Sequence, residues 1–262
     1  MSAKPNPIDM AKYVSARRAV DYVQDGMRVG LGTGSTAAWM VRCLGEMIRE
    51  DGLRITGVPT STRTADLARQ CGVPVATLED AKWLDLTIDG ADEFDADLNL
   101  IKGGGGALLQ EKIVATASDM TVIITDPSKE VASLGAFPLP VEVIPFGWQT
   151  TKALIEESLI GQDVDGRAVT LRLASQLPFR TDEGNLILDL HLRRIGNPRQ
   201  LSLLLNQIPG VVENGLFLDI ADVVICGRQD GTVEVRDVNH GTVTEETVDI
   251  SGGENIFGSI AD

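Results

Sequence analysis

Short apolar runs alternate with amphipathic stretches through the first 130 residues, and this rhythm limits the fold more than any other feature of the chain. Apolar residues at helical spacing predict helices over 8–23, over a stretch whose face is Ala37, Met40, Val41, Leu44, Met47 and Ile48, and over Thr62–Cys71 and Ala107–Ala117. Ser35 or Thr36 is placed to N-cap the second of these. Strand-like runs fall between them at Met27–Gly32, Arg54–Val58, Val75–Thr77, Leu84–Ile88, Leu98–Ile101 and Thr121–Thr125. Strand followed by helix, repeated, implies a mostly parallel sheet covered on both faces.

The pattern changes near residue 131. Val141–Ile144, Val169–Leu173 and Leu186–Leu190 read as strands, and Gln149–Leu159 and Pro198–Gln207 as helices, which suits a smaller α+β domain. Leu216–Leu218 and Val223–Cys226 are strand-like again and are expected to rejoin the first sheet. The expected organisation is therefore an α/β chain with a Rossmann-like, mostly parallel sheet over 1–130 and 208–235. A smaller α+β domain is inserted at 131–207. Residues 236–262, with one Arg, six acids and few large apolar residues, read as a C-terminal extension or mobile tail.

Charge excludes some partners. The 23 basic against 38 acidic residues give a net charge of −15, so nucleic acid and anionic membrane surfaces are not expected as partners. Three cysteines (Cys43, Cys71, Cys226) without metal-type spacing suit reduced, mostly buried thiols of a cytoplasmic protein. His191 and His240 lie far apart, have no nearby carboxylate pattern and read as structural or surface residues, so no metal site is expected. No apolar run reaches the roughly 20 residues of a membrane span, and MSAKPNPIDMAKY has no apolar h-region of a signal peptide. Trp39, Trp83 and Trp148 are scattered and read as core rather than as a base-stacking stripe.

Chemistry-bearing residues gather at strand ends, where open α/β sheets bind ligands. Gly30-Leu31-Gly32-Thr33-Gly34-Ser35-Thr36 offers backbone that can approach an anion, a helix N-terminus and hydroxyl donors. Its spacing matches neither the G-x-G-x-x-G fingerprint nor a P-loop, and a tight structural turn is the competing reading. Asp89-Gly90-Ala91-Asp92-Glu93 puts three carboxylates in five residues, which suits acid–base chemistry or else a solvated acidic turn. In Lys102-Gly103-Gly104-Gly105-Gly106 the consecutive glycines are entropically costly unless the backbone passes close to a ligand, where Lys102 would supply a cation to a developing oxyanion. Glu111, one and a half turns into the following helix, points either back toward this loop or out to solvent. Thr125-Asp126-Pro127-Ser128-Lys129 is another strand-end turn; Lys129 and Lys12 are candidate phosphate cations, each with a surface role as the alternative.

Taken in order, these segments resemble ribose-5-phosphate isomerases of the A type. The resemblance rests on Gly32-Thr33-Gly34-Ser35-Thr36, Asp89-Gly90-Ala91-Asp92-Glu93, Lys102-Gly103-Gly104-Gly105, Glu111 and Asp126-x-Ser128-Lys129. It extends to Ala221-Asp222-x-x-Ile225-x-Gly227 and Asp230-Gly231, running from about Ala11 to Val235. It implies interconversion of D-ribose 5-phosphate and D-ribulose 5-phosphate through an enediolate, in the non-oxidative pentose phosphate branch, with no metal or organic cofactor. It implies Glu111 as the base, with Asp89, Asp92 and Lys102 as the other catalytic residues. Substrate contacts would come from Lys12, Thr33, Gly34, Ser35, Thr36, Asp89, Gly90, Ala91, Asp92, Lys102, Gly103, Gly104, Gly105 and Lys129. It also implies a homodimer or homotetramer.

Three other readings compete. A sugar-phosphate deaminase or lactonase would want a catalytic histidine in a matching motif. A dinucleotide oxidoreductase has Glu50 and Asp51 at the right distance but the wrong glycine spacing. A sugar-phosphate sensor would normally carry a DNA-binding element, for which the first 26 residues are too short.

Overall fold

The computed structural model describes residues 6–249. The chain divides into two compact units, one of residues 1–90, 113–128 and 221–262, the other of residues 91–112 and 129–220.

The first unit is built on a seven-stranded sheet in the order Thr242–Thr247, Thr232–Asp237, Val223–Gly227, Thr121–Thr125, Leu86–Gly90, Arg28–Leu31, Thr56–Pro59. The last five are mutually parallel, and the first two join antiparallel. Thr121–Thr125 and Val223–Gly227 are buried at every position, as strands covered on both faces must be. Val29, Leu31, Leu86, Ile88, Val122, Ile124, Val223 and Ile225 form one cluster with Tyr13, Val14, Met40 and Leu44 of the helices Pro7–Ala19 and Ser35–Glu50. Each such aliphatic side chain contributes about 1.5–3 kcal/mol on burial. The carboxyl ends of three adjacent strands release the chain at Gly32, Ala91 and Asp126.

The second unit carries a four-stranded antiparallel sheet in the order Val211–Asn214, Leu139–Val143, Leu186–His191, Ala168–Leu171. Alternate residues Leu139, Val141, Val143, Leu186, Leu188 and Leu190 pack with Ile155, Leu159, Leu201 and Leu205 around the helices Trp148–Ser158 and Pro198–Leu205. A three-stranded sheet (Leu216–Phe217, Leu100–Ile101, Glu93–Phe94) and a small hairpin (Leu173–Ala174, Leu177–Pro178) complete it.

Several expectations are corrected. Residues 91–112 and 208–220 group with the second unit, not with 1–90. Leu216–Phe217 pairs with Leu100–Ile101 rather than with the large sheet. Thr242–Thr247, expected in the tail, is the edge strand of the large sheet, while residues 250–262 of that tail lie outside the described residues. Its polar sequence shows no apolar face because it is solvent-exposed and is held by backbone pairing and by an Arg18–Glu246 ion pair at 2.6 Å. Gly34, not Ser35 or Thr36, caps the second helix. Its φ of 120° is a conformation open to glycine and strained for other residues. Trp83 is exposed, with its indole N–H donating to Asp119 at 2.6 Å.

Candidate active site

In the first unit, Asp89 is the penultimate residue of the central strand Leu86–Gly90 and is buried. Its Oδ1 accepts the N–H of Thr33 at 3.1 Å and of Gly90 at 2.7 Å. Gly32 is what admits it: a Cβ at that position would stand 2.1 Å from Asp89 Oδ1 and 2.5 Å from Asp89 Cα. The glycine thus serves a neighbouring strand, a reason different from the anion approach expected of it. Lys12 Nζ donates to Ser35 Oγ at 2.9 Å, bringing two expected contact residues together. The Thr33 hydroxyl lies within hydrogen-bonding distance of Thr60, Ser61 and Thr64, an internal network of hydroxyls that the motif reading missed. The signal for them was the run Thr60-Ser61-Thr62-Arg63-Thr64 at the carboxyl end of the neighbouring strand. Asp126 is buried and accepts the N–H and the hydroxyl of Ser128, at 2.9 and 2.5 Å.

In the second unit, Lys102 and Glu111 flank the glycine run and face each other, Nζ to Oε2 at 3.4 Å, each side chain 4% exposed. This settles the orientation of Glu111, which is turned inward. Phe217 covers the ammonium, its ring centroid 5.4 Å away. Two charges withdrawn this far from water are costly to fold around. Asp92 Oδ2 accepts the Gly104 N–H at 2.7 Å, and a Cβ on Gly104 would lie 2.6 Å from Asp92 Oδ1. Gly104 and Gly105 are exposed while Gly103 is buried. Lys129 is half-buried at the end of the short turn Pro127–Lys129. Glu93, third of the clustered acids, receives the N–H groups of Gly135 and Phe137 and so orders a loop. The five-residue acidic cluster therefore divides into separate tasks.

The remaining candidates fall outside this chemistry. His191 meets Thr170 at 2.8 Å, and His240 meets Asp237 at 2.8 Å with a largely exposed ring, a carboxylate contact absent from the expectation. Among the described residues no group of three or more His, Cys, Asp or Glu is arranged to hold a metal ion, and no helix is long and apolar enough to cross a membrane.

What this arrangement can do is move a proton between Glu111 and a carbon beside an oxygen that Lys102 polarises. Comparison with known proteins gives that chemistry a family. The family model described as ribose 5-phosphate isomerase A (phosphoriboisomerase A) matches residues 56–231. A ribose-5-phosphate isomerase A of Jannaschia sp. (strain CCS1) is 73% identical over 98% of both chains. One of Ruegeria sp. (strain TM1040) is 68% identical over 100% of both. The solved ribose 5-phosphate isomerase A of Methanocaldococcus jannaschii has a TM-score of 0.79 at 40% identity, covering 92% of this chain and 100% of that one. On the family match and these near full-length likenesses, the chain belongs to the ribose 5-phosphate isomerase A family.

Proposed function

We propose that this chain interconverts D-ribose 5-phosphate and D-ribulose 5-phosphate, the family's reaction in the pentose phosphate pathway, and that Glu111 carries the proton. The observation that carries the assignment of Glu111 is its buried pairing with Lys102 at 3.4 Å across the glycine run. In the open aldose, the Glu111 carboxylate takes the C2 proton, and the C–H electrons form the C1–C2 double bond of an enediolate. The negative charge moves to O1, where the Lys102 ammonium and the backbone N–H groups of Gly103 and Gly105 stabilise it, that of Gly104 donating to Asp92. A proton shifts from O2 to O1, and the Glu111 carboxylic acid returns its proton to C1, leaving the C2 ketone. One carboxylate, base and then acid, suffices.

Asp89 and Asp92 handle hydroxyl protons during ring opening. Gly90 and Ala91 follow Asp89 as substrate contacts, as do Thr33, Gly34, Ser35 and Thr36. Lys12 and Lys129 neutralise phosphate. Support for these roles is the set of donors and acids released at strand ends and the ordering of Asp89 and Asp92 by backbone amides. The test is ribulose 5-phosphate formation in buffered D2O by wild type and Glu111→Gln. The variant should lose both turnover and exchange of the C2 hydrogen, and a variant that keeps both removes Glu111 from the reaction.

The chain acts as a homodimer or homotetramer in the cytoplasm. Support comes from Phe146, 89% exposed beside Ile144, and from the cysteines Cys43, Cys71 and Cys226, none in a disulfide among the described residues. Light scattering on wild type and Phe146→Asp reads the assembly: a multiple of the 28.0 kDa chain mass is expected, lowered in the variant.

A further inference from the structure

Gly103-Gly104-Gly105 has no side chains with which to hold itself in one conformation; the Gly106 N–H closes a turn on the Gly103 carbonyl at 3.0 Å, and further order comes from outside. Arg172 supplies it. The guanidinium Nη1 donates to the carbonyl of Gly103 at 2.8 Å and to that of Gly104 at 3.1 Å. Nε donates to Asp189 Oδ2 at 2.9 Å, and Nη2 donates to the other oxygen of the same carboxylate. Four hydrogen bonds thus fix one planar group, and the pair is largely withdrawn from water, at 14% and 17% side-chain exposure. The backbone beneath is also tied. Arg172 N–H donates to Ile187 and its carbonyl accepts from Phe179, both at 2.9 Å. The Phe179 ring, 6.0 Å from the guanidinium, occupies the space a side chain at Gly106 would need.

In a trans peptide the C=O and the following N–H point in opposite directions. Holding the Gly103 and Gly104 carbonyls therefore aims the N–H groups of Gly104 and Gly105 away from Arg172. The first meets Asp92 Oδ2 at 2.7 Å, and the second belongs to an exposed residue. A fixed cation on the carbonyl side also polarises both peptides, which strengthens their N–H groups as donors. We propose that Arg172, anchored by Asp189, is a positioning residue for isomerisation: it holds the glycine run so that the Gly104 N–H orders Asp92 and the Gly105 N–H is preset for the charge that develops on the enediolate. The proposal rests on the reading that the Gly105 N–H faces the substrate.

Lysine tests it well. It keeps a cation beside Asp189 but, as a point charge, lacks the planar fork that ties one carboxylate and two carbonyls at once. Arg172→Lys and the neutral pair Arg172→Gln with Asp189→Asn are assayed for kcat, KM and Tm beside Glu111→Gln. A preset donor acts on the transition state, so kcat should fall about 10-fold or more in both, since displacement by about 1 Å costs on the order of 100-fold. KM should stay within about threefold. Loosening of the fold would instead lower Tm and raise KM together. A folded variant with wild-type kcat, or a loss confined to KM, overturns the proposal. If Arg172→Lys loses its native melting transition, Asp189→Asn alone decides, with lower kcat expected and unchanged kcat refuting. Collapse of Glu111→Gln beside a fully active Arg172→Lys overturns only the role of Arg172. Survival of Glu111→Gln overturns the reading of the site itself.

Discussion

Replacing Glu111 by glutamine tests catalysis and folding together, because the residue is both the proposed base and half of a buried ion pair. At the observed 3.4 Å, two unit charges attract by about 5 kcal/mol at an effective dielectric of about 20. Desolvation offsets much of this, so the pair need not contribute net stability. Removing one member is different, since the desolvation of Lys102 is then no longer compensated at that distance, and costs of about 3–5 kcal/mol are usual. Glu111→Gln should therefore lower Tm on the order of 10 °C. It should also lower kcat by about 100-fold to 10,000-fold, the usual contribution of general acid–base catalysis. Adding Lys102→Met removes the buried ammonium as well and leaves a thioether against Phe217. The double variant should recover much of the lost Tm and none of the lost kcat. Calorimetry and a coupled ketose assay on the wild type and both variants separate the effects. A Glu111→Gln enzyme within tenfold of wild-type kcat would refute the base assignment, and a double variant no more stable than Glu111→Gln would refute the electrostatic reasoning.

Three further outcomes are expected. Gly32→Ala should destabilise by about 1–3 kcal/mol and abolish turnover, because its Cβ would meet both the carboxylate and the Cα of Asp89 and no rotamer relieves both; thermal melts and activity check this. Glu142 is fully buried, with Thr181 and Asn185 each donating to Oε1 at 2.9 Å, and burial, aided by the charges of Glu183 and Glu213, pushes its carboxyl above the usual range. A carboxyl raised on folding stabilises below its unfolded pKa of about 4.3 and loses that contribution as pH climbs through the folded value. The Tm of wild type minus that of Glu142→Gln should accordingly fall from acid toward neutral pH, and a flat or rising difference contradicts the burial argument. In native protein a thiol reagent at neutral pH should modify Cys71 first, since burial pushes the fully enclosed Cys43 thiol up to about 12 while Cys71 is half-exposed; mass spectrometry of the labelled peptides reads the order.

Local rules made much of this protein readable. Parallel strands buried on both faces appear as unbroken apolar runs, which is why Thr121–Thr125 and Val223–Gly227 were legible from the chain alone. Lys102 stood out because it opens an expensive glycine run, whereas Glu111 was singled out only by the family resemblance, since periodicity gave no sign that it turns inward. Arg172, Asp189 and Glu142 gave no signal. Each acts through partners distant in the chain, such as the contact from Arg172 to Gly103, and ordinary surface charges have the same local sequence. The purpose of Gly32 was hidden likewise, because the atom that excludes a side chain there belongs to residue 89. The edge strand Thr242–Thr247 was illegible because half-buried alternation, the usual mark of a strand, is missing where a strand is held by backbone pairing and surface ion pairs rather than by an apolar face.

That edge strand also bears on how the protein behaves when concentrated. Its outer backbone is the place where a foreign strand would dock, and it is short, with Glu245 and Glu246 among its residues. Such charged, short edges discourage strand-to-strand polymerisation. The strand inside it, Thr232–Asp237, has Val233 and Val235 buried in the sheet core. A chain cut before Thr242 would present that strand as the new edge. It should be lost to aggregation well before its catalytic residues are disturbed, so shortened forms of this enzyme should be judged by solubility as well as by turnover.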